Sequence, residues 1–392
     1  MVPTDALTSP PLHLRRRLAF LALGVGTWLA FRLLLAFPHV AEVLVGSGPI
    51  PLLVQGLSRA SSWVPFSLAE LVILGVVLRQ ATGAVGGIRQ VRTGLDTWRR
   101  TLTRGGLRLG QDLGVLVFLF YLLWGFQYAR PGLEHQLGLE PEGQLSVQEL
   151  EPLARSAVEA ANRAYIELHG VPDAGVPTPR VPADRLVPAL EEGWRLVPAR
   201  FDLHPRLERP HGAPKTWTAT SLVKRTATSG MYFPYTGEAL VVGGLPTVRL
   251  GMTLAHEMAH QRGVAVEGDA NVLGFLVARE APDPRVRYSA YVFLQGQMIS
   301  ALASLCAPCA LEMLERRLPG IERDLADLDR FWASSRGPIS RAAGRMNDAM
   351  LRSHGIAEGT ASYGGSRWIL AALALRDGPE ILFGEAKEPP GE

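Results

Sequence analysis

Long apolar stretches in the first third of the chain constrain its fold most. Residues 18–37 are almost continuously apolar, and their one charged side chain, Arg32, lies near the end, where it can reach the membrane surface. Residues 113–126 form a second stretch, followed by Tyr128 and Arg130, which suit a membrane interface. A bilayer core requires about 20 apolar helical residues, because backbone groups in lipid have no water to bond. Both stretches therefore predict membrane-spanning helices.

A third apolar stretch lies between these two. Residues 65–78 contain Glu70 and reach membrane length only if residues 58–64 are included. A carboxylate within a span would also fit a transport path, although three spans are few for a transporter. We predict a membrane anchor over residues 1–130. Its predicted spans are residues 18–37, 60–79 and 112–128.

Arginines are distributed unevenly around these spans. Three of them, Arg15 to Arg17, precede the first span, and seven lie between the second and the third, with Asp96 as the opposing acid. The positive-inside rule places both groups in the cytoplasm and the chain from residue 131 onwards on the outer side. The first span is too long for a signal peptide, so it is predicted to be an uncleaved anchor. Arginines beside spans indicate the lipid bilayer as partner, and we expect no nucleic-acid binding.

The segment His256-Glu257-Met258-Ala259-His260 contains an H-E-x-x-H motif in an apolar, helix-favouring context. Residues four apart share a helix face, so His256 and His260 can direct two imidazoles at one ion. Neutral imidazoles suit Zn²⁺, and Glu257 is placed to act as general base on a water. The pattern predicts a catalytic zinc site, against the alternative of an ordinary amphipathic helix with buried histidines.

A catalytic zinc requires a third protein ligand, and two acids follow the motif. Gly263 can end the helix at positive φ and turn the chain back, which brings Glu267 and Asp269 within reach. We favour Glu267 over Asp269. Asn271 lies four residues after Glu267 and would share its helix face, where it can orient a histidine.

The chain after residue 131 has mainly helical patterns. Ser146 and Glu149 form a capping box at the start of one predicted helix, and residues 183–197 are predicted to form another. Residues 229–242 are the best strand candidate, and Pro234 marks an edge or a bulge. Such an edge could pair with a peptide, and the alternative is a plain packed strand or hairpin. Residues 288–314 predict a buried helix rather than a fourth span. Cys306 and Cys309 could form a disulfide on the outer side.

Several of these segments resemble a bacterial membrane family catalogued as domain of unknown function 3810. The resemblance rests on residues 124–131 (WGFQYARP), 233–239 (FPYTGEA), 256–263 (HEMAHQRG) and 267–271 (EGDAN), with Pro65 to Ser67 and Glu70. Residues 267–271 also resemble the third-ligand segment of gluzincin peptidases, which implies Glu267 as the ligand. The family usually has Glu at the third position of that segment, where this chain has Asp269. The resemblance implies a zinc metallopeptidase anchored in the bacterial cell membrane.

These observations predict a mainly α protein: transmembrane helices, then a mostly helical zincin-like (α+β) domain over residues 131–392 with a small edge-strand sheet. Its expected activity is hydrolysis of a peptide or protein substrate, with Zn²⁺ held by His256, His260 and Glu267. Glu257 would be the general base. Tyr363, Tyr235 and His354 are candidates for stabilising the oxyanion, and we favour Tyr363. The alternatives are a non-catalytic, zinc-stabilised scaffold or sensor, and a transporter.

Overall fold

The computed structural model describes residues 13–139 and 145–384. The protein is mainly helical with one small sheet, as predicted. The helices are α1 (Leu14–Leu34), α2 (Pro38–Ala41), α3 (Ile50–Ser62), α4 (Leu68–Arg92), α5 (Trp98–Leu123), α6 (Leu133–Gln136), α7 (Val147–His169), α8 (Val187–Arg200), α9 (Thr220–Lys224), α10 (Thr247–Gln261), α11 (Glu267–Glu280), α12 (Pro284–Ala303), α13 (Ala307–Glu315), α14 (Pro319–Ala333), α15 (Pro338–Ser353), α16 (Gly365–Asp377) and α17 (Glu380–Phe383). The strands are β1 (Lys215–Thr216), β2 (Gly230–Phe233) and β3 (Glu238–Val241).

Three helices, α1, α4 and α5, are long and apolar enough to cross a membrane. The prediction of three candidate spans is confirmed, but the predicted bounds are wrong. The second span does not include residues 60–67, because Pro65 is incompatible with a continuous helix through this region. A new helix begins after Ser67, whose Oγ caps it by accepting from the Glu70 amide at 3.3 Å. That helix continues to Arg92, through part of the region predicted to be a loop.

The three candidate spans pack in an up-down-up arrangement. Phe31 lies against Tyr121 with ring centroids 4.9 Å apart, and Arg17 donates to the Arg104 carbonyl at 2.8 Å, so α1 and α5 run parallel. Arg79 of α4 binds Asp112 of α5 at 2.7 Å. The arginine-rich ends of the three helices therefore lie together. Between α1 and α4, α2 and its π-helical continuation meet α3 at a 44° bend, and this pair would count as a fourth span if it crosses the membrane.

The remainder of the chain packs around α10, α11 and α12. Trp194 of α8, Phe275 of α11 and Tyr288 of α12 are among its largest fully buried side chains. The capping box of Ser146 and Glu149 is present at the start of α7. Residues 288–314 are buried in their first part, as predicted, but they form two helices, α12 and α13. The break falls at Cys306, which is joined to Cys309 by a disulfide.

The sheet has the order β1-β3-β2, so β2 is an edge strand. For residues 229–242 the structure decides between a single edge strand and a hairpin: they form a hairpin whose turn contains Pro234 and the positive-φ residue Gly237. The helix predicted over residues 183–197 begins later, at Val187, because residues Ala183–Arg185 form a 3₁₀ turn.

Carboxylates tie the candidate spans to the sheet region. Glu70, at the start of α4, accepts from the backbone amides of Thr218 and Ala219 at 3.0 and 2.7 Å. Glu238 of β3 accepts from the amides of Leu68 and Ala69. Glu70 thus satisfies two backbone donors just before the start of α9.

Candidate metal centre

Three potential ligands converge where α10 meets α11. His256 and His260 lie one turn apart on α10, and Glu267 is the first residue of α11. Glu267 Oε2 lies 3.1 Å from His256 Nε2 and 3.5 Å from His260 Nε2. The ligand atoms of the three residues all lie within 4.8 Å of one another, which makes the group a candidate metal site.

Both imidazoles are oriented through their other ring nitrogen. His256 Nδ1 lies 3.0 Å from Asn271 Oδ1, and His260 Nδ1 lies 2.7 Å from the Val264 carbonyl oxygen. Because those oxygens only accept hydrogen bonds, each Nδ1 donates, and each neutral ring keeps a lone pair on Nε2. Two such lone pairs and the Glu267 carboxylate then face one point. This donor set fits a cation.

The charges within this group reinforce one another. Burial by itself would raise the pKa of Glu267, but His260 and His256 outweigh it and hold that pKa well below its ordinary value. Burial lowers the pKa of His260, while Glu267 raises it more strongly, to about 9. Glu267 Oε2 is buried, and its polar neighbours are the Nε2 atoms of the two histidines. A buried oxygen of this kind requires a cation or a proton nearby.

The turn between α10 and α11 places Glu267 at the histidines. Gly263 has φ of +84°, a conformation that favours glycine, and Arg130 donates to its carbonyl at 3.0 Å. Asp269 lies elsewhere: its Oδ2 accepts from the Leu133 amide at 2.9 Å. Burial and then the charge of Glu134 raise the pKa of Asp269 to about 7. Of the two acids considered as third ligand, the structure brings only Glu267 to the histidines.

Glu257 lies beside the group without belonging to it. Its side chain is buried, and Oε2 has no hydrogen-bond partner in the described part of the chain. Burial raises its pKa above the ordinary value for a glutamate. A Cβ added to Gly230 of β2 would lie 2.5 Å from Glu257 Oε1, so the edge strand passes directly over this carboxyl group.

The three oxyanion candidates occupy different places. Tyr363 lies in a 3₁₀ turn over Gly359–Gly364 and not in an open loop, and burial followed by the charge of Glu267 raises its pKa. Asn347 donates to its hydroxyl at 3.4 Å. Tyr235 donates to the Leu116 carbonyl of α5, and His354 binds Tyr121 of the same helix at 3.2 Å. Only Tyr363 is thus placed next to a potential ligand.

Two aromatic residues beside the group were not predicted to lie there. The Trp124 ring, one residue beyond the end of α5, lies edge-on to the His260 ring with centroids 5.5 Å apart. Tyr232 of β2 also packs against Trp124, with ring centroids 4.8 Å apart. Trp124 begins the WGFQYARP segment at the end of a predicted span, and this segment was the only indication in the sequence that Trp124 could lie near the site. The candidate metal centre therefore adjoins the end of a candidate span.

A sequence-family model described as "Protein of unknown function (DUF3810)" matches residues 47–367. The chain belongs to this family. The match includes α4, α5, the H-E-x-x-H helix and the turn with Tyr363, so all residues of the candidate metal centre lie within the matched range. No curated protein and no solved structure is significantly similar to the chain.

Proposed function

We propose that this DUF3810 protein is a membrane-anchored, zinc-dependent peptidase. The observation that carries the proposal is the convergence of His256, His260 and Glu267 beside Glu257, a buried carboxyl group that is not needed as a ligand. A purely structural site has four protein ligands and no use for a base. Three ligands with an adjacent carboxyl group are typical of a catalytic site.

His256, His260 and Glu267 would hold the ion. When bound, Zn²⁺ supplies a Lewis acid that polarises a peptide carbonyl and acidifies a water. Asn271 and the Val264 carbonyl keep both Nε2 atoms directed at the site. Each histidine ligand therefore has a protein group that fixes the orientation of its ring.

Glu257 would move the proton. Its free Oε2 accepts a proton from the attacking water and passes it to the departing amine, so the glutamate ends the cycle as it began. Tyr363, next to Glu267, would donate its hydroxyl hydrogen to the carbonyl oxygen as negative charge develops there. Burial of the site strengthens both interactions, because water does not screen them.

The edge strand β2 would position the substrate. It pairs with β3 along one side, so its other side can pair with an extended peptide. Gly230 brings this strand against Glu257, and the next residue, Met231, is 44% exposed. A peptide added to β2 would thus pass close to the general base.

We place the site on the outer face of a bacterial cell membrane. The arginine-rich ends of α1, α4 and α5 lie together, and Trp124 marks the opposite end, next to His260. The positive-inside rule assigns the arginine-rich end to the cytoplasm. Alkaline phosphatase fused after Phe383 should then be active and a cytoplasmic reporter inactive. The reverse result would contradict this orientation.

The experiment that tests the proposal compares wild type with Glu257→Gln in detergent-purified protein. We expect both to contain one zinc, while hydrolysis of a mixed peptide library falls by about 10²–10⁴-fold, the usual contribution of a general base. Glu134→Gln, an acid outside the metal group, is the matched control and should retain activity. Equal hydrolysis by Glu257→Gln and wild type would eliminate the peptidase mechanism and favour a non-catalytic zinc scaffold.

A further inference from the structure

A small cavity lies on the membrane side of the metal helix. It has a volume of about 20 Å³, more than a single water requires, and it opens to the surface. α3 and the end of α5 form one wall through Val54, Gln55 and Leu123. Arg206, Arg209 and the last residues of α10 form the other wall. We call it the arginine cavity.

Arg206 is the unusual residue in this cavity. It is only 7% exposed, and its Nη1 donates to the Gly46 carbonyl, which carries no charge. Its Nε is buried and has no partner among the residues that the structure describes. A buried guanidinium of this kind is normally paired with an anion, because desolvation strongly disfavours an isolated charge.

The nearby acids do not supply that anion. Glu42 is already bound by Arg130, whose Nε lies 2.6 Å from Glu42 Oε2, so two arginines share one carboxylate. Arg262 is neutralised by Glu191 at 2.7 Å. Burial and then the charge of Arg130 lower the pKa of Arg206 to about 9, as expected for a cation with insufficient compensation.

The other lining groups add positive charge and hydrogen-bond donors. Arg209 is exposed at the cavity, and Gln55 and Gln127 contribute side-chain amides. His211 is neutral at physiological pH, because burial lowers its pKa to about 3. No acidic side chain lines the arginine cavity within residues 13–139 and 145–384. The cavity thus has one buried cation, Arg206, which shares the Glu42 carboxylate with Arg130, and one exposed cation, Arg209, with no ion pair among the described residues.

We propose that the arginine cavity binds a phosphate group, with Arg206 as the buried anchor and Arg209 at the rim. Arginine suits this ligand, since its fork of N–H donors matches phosphate oxygens. The position between α3 and the end of α5 favours the headgroup phosphate of an anionic phospholipid. Free inorganic phosphate has the same chemistry. The proposal is independent of peptidase activity.

The test uses the full chain, purified in a neutral detergent and delipidated. Dioctanoyl phosphatidylglycerol, dioctanoylglycerol and sodium phosphate are added separately, the last against sodium chloride at equal ionic strength. Thermal unfolding is followed by tryptophan fluorescence. Phosphatidylglycerol at 100-fold excess over its Kd should raise Tm by about 4 °C, and dioctanoylglycerol should not. If sodium phosphate also produces a saturable increase in Tm, the phosphate site is supported, and free phosphate can occupy it without a lipid.

Variants assign the effect to the arginines. Arg206→Met should lose at least about 10-fold in affinity for phosphatidylglycerol, since hydrogen bonds to charged groups are the stronger ones. Without lipid it should be as stable as wild type or more so, because it removes an unpaired buried charge. Arg209→Gln, which alters an exposed side chain, should bind about 3-fold more weakly. Arg195→Gln, on the exposed face of α8, is the matched control and should bind normally.

Three results would overturn the proposal. The first is the absence of a saturable shift with both phosphatidylglycerol and phosphate. The second is an equal shift in wild type, Arg206→Met and Arg209→Gln. The third is a strongly destabilised Arg206→Met whose lipid shift persists, since Arg206 would then be a structural residue. If Arg206→Met does not fold, Arg209→Gln decides the question, and binding equal to that of Arg195→Gln contradicts the proposal.

Discussion

The helix pair α10–α11 and the candidate spans are stabilised in opposite ways. In α10, 13 of 15 residues are buried, and in α11, 13 of 14. In the most apolar parts of α1, α4 and α5, only 11%, 6% and 17% of the residues are buried. The first pair is surrounded by protein, so each of its polar groups requires a partner within the protein. The spans leave most of their apolar side chains for lipid, although α1 packs closely along α5.

Two acids on α11 show what complete burial requires. Asp269 binds a backbone amide of α6, and Glu267 faces the Nε2 atoms of two imidazoles. The same helix turn thus contains one acid that accepts from a backbone amide and one that belongs to the candidate metal site. The spans instead depend on close backbone packing. A Cβ added to Gly24 of α1 would lie 2.7 Å from Gly114 Cα of α5, so these two helices pack closely only because Gly24 has no side chain.

The largest expected effect is a loss of zinc affinity on substitution of one of the two acids of α11 but not of the other. Glu267→Ala should weaken zinc binding by more than about 100-fold, since loss of a direct ligand exceeds the 10–100-fold effect of an orienting group. Asp269→Asn should retain zinc, because an amide oxygen can still accept from the Leu133 amide. Competition with a chelator of known affinity measures both values. The opposite order would make Asp269 the third ligand.

Gly230→Ala tests the contact between β2 and the general base. The added Cβ would meet Glu257 Oε1 at 2.5 Å and displace the carboxyl group. A misplacement of about 1 Å can reduce the rate about 10²-fold, and zinc content should not change. Gly296→Ala on α12, where nothing lies within 4 Å, is the matched control. Full activity in Gly230→Ala would show that Glu257 does not act from its observed position.

Asn271→Ala removes the acceptor that orients His256. The ring then loses its hydrogen bond at Nδ1, and zinc affinity should fall by about 10-fold, the lower end of the range for such partners. Asn271→Asp retains an acceptor and should restore most of the affinity. Unchanged affinity in Asn271→Ala would mean that α10 alone fixes the ring.

Gly24→Ala should have a smaller effect, confined to the spans. The new methyl group would overlap Gly114 of α5, and overpacking of this kind costs about 1–3 kcal/mol. Gly26→Ala, two residues along α1, has nothing within 4 Å and should be neutral. Thermal unfolding in detergent compares the two variants. Equal stability would argue against close packing of α1 and α5, while zinc binding by the folded fraction should be unchanged in both.

The sequence was sufficient where one residue spacing determines the geometry. His256 and His260 share a helix face by periodicity, and a positive-φ Gly263 turns the chain toward Glu267. It was not sufficient where partners come from distant parts of the chain. Nothing near Asp269 indicated that the Leu133 amide would bind it, and nothing near Glu70 indicated the amides of residues 218 and 219. Such contacts depend on tertiary packing.

Span boundaries were mispredicted for a local reason. Residues 63–67 look apolar enough to belong to a span, but Pro65 and the Ser67 cap start a new helix after them. For residues 229–242 the sequence left a single strand and a hairpin open, because Pro234 fits both a strand edge and a turn, and the pairing of β2 with β3 decides for the hairpin. Trp124 was recognised as an interfacial residue, and only the tertiary fold shows that it also lies against His260.

Zinc content tests the central claim most directly. Detergent-purified wild type and the double variant His256→Ala, His260→Ala should be analysed by mass spectrometry for metal per chain. We predict about one zinc per wild-type chain and less than about one tenth of that in the double variant, because a single carboxylate cannot hold zinc against buffer. Circular dichroism of both proteins would show that the helices persist. Stoichiometric zinc in the double variant, or a wild type that binds none when zinc is supplied, would contradict the assignment.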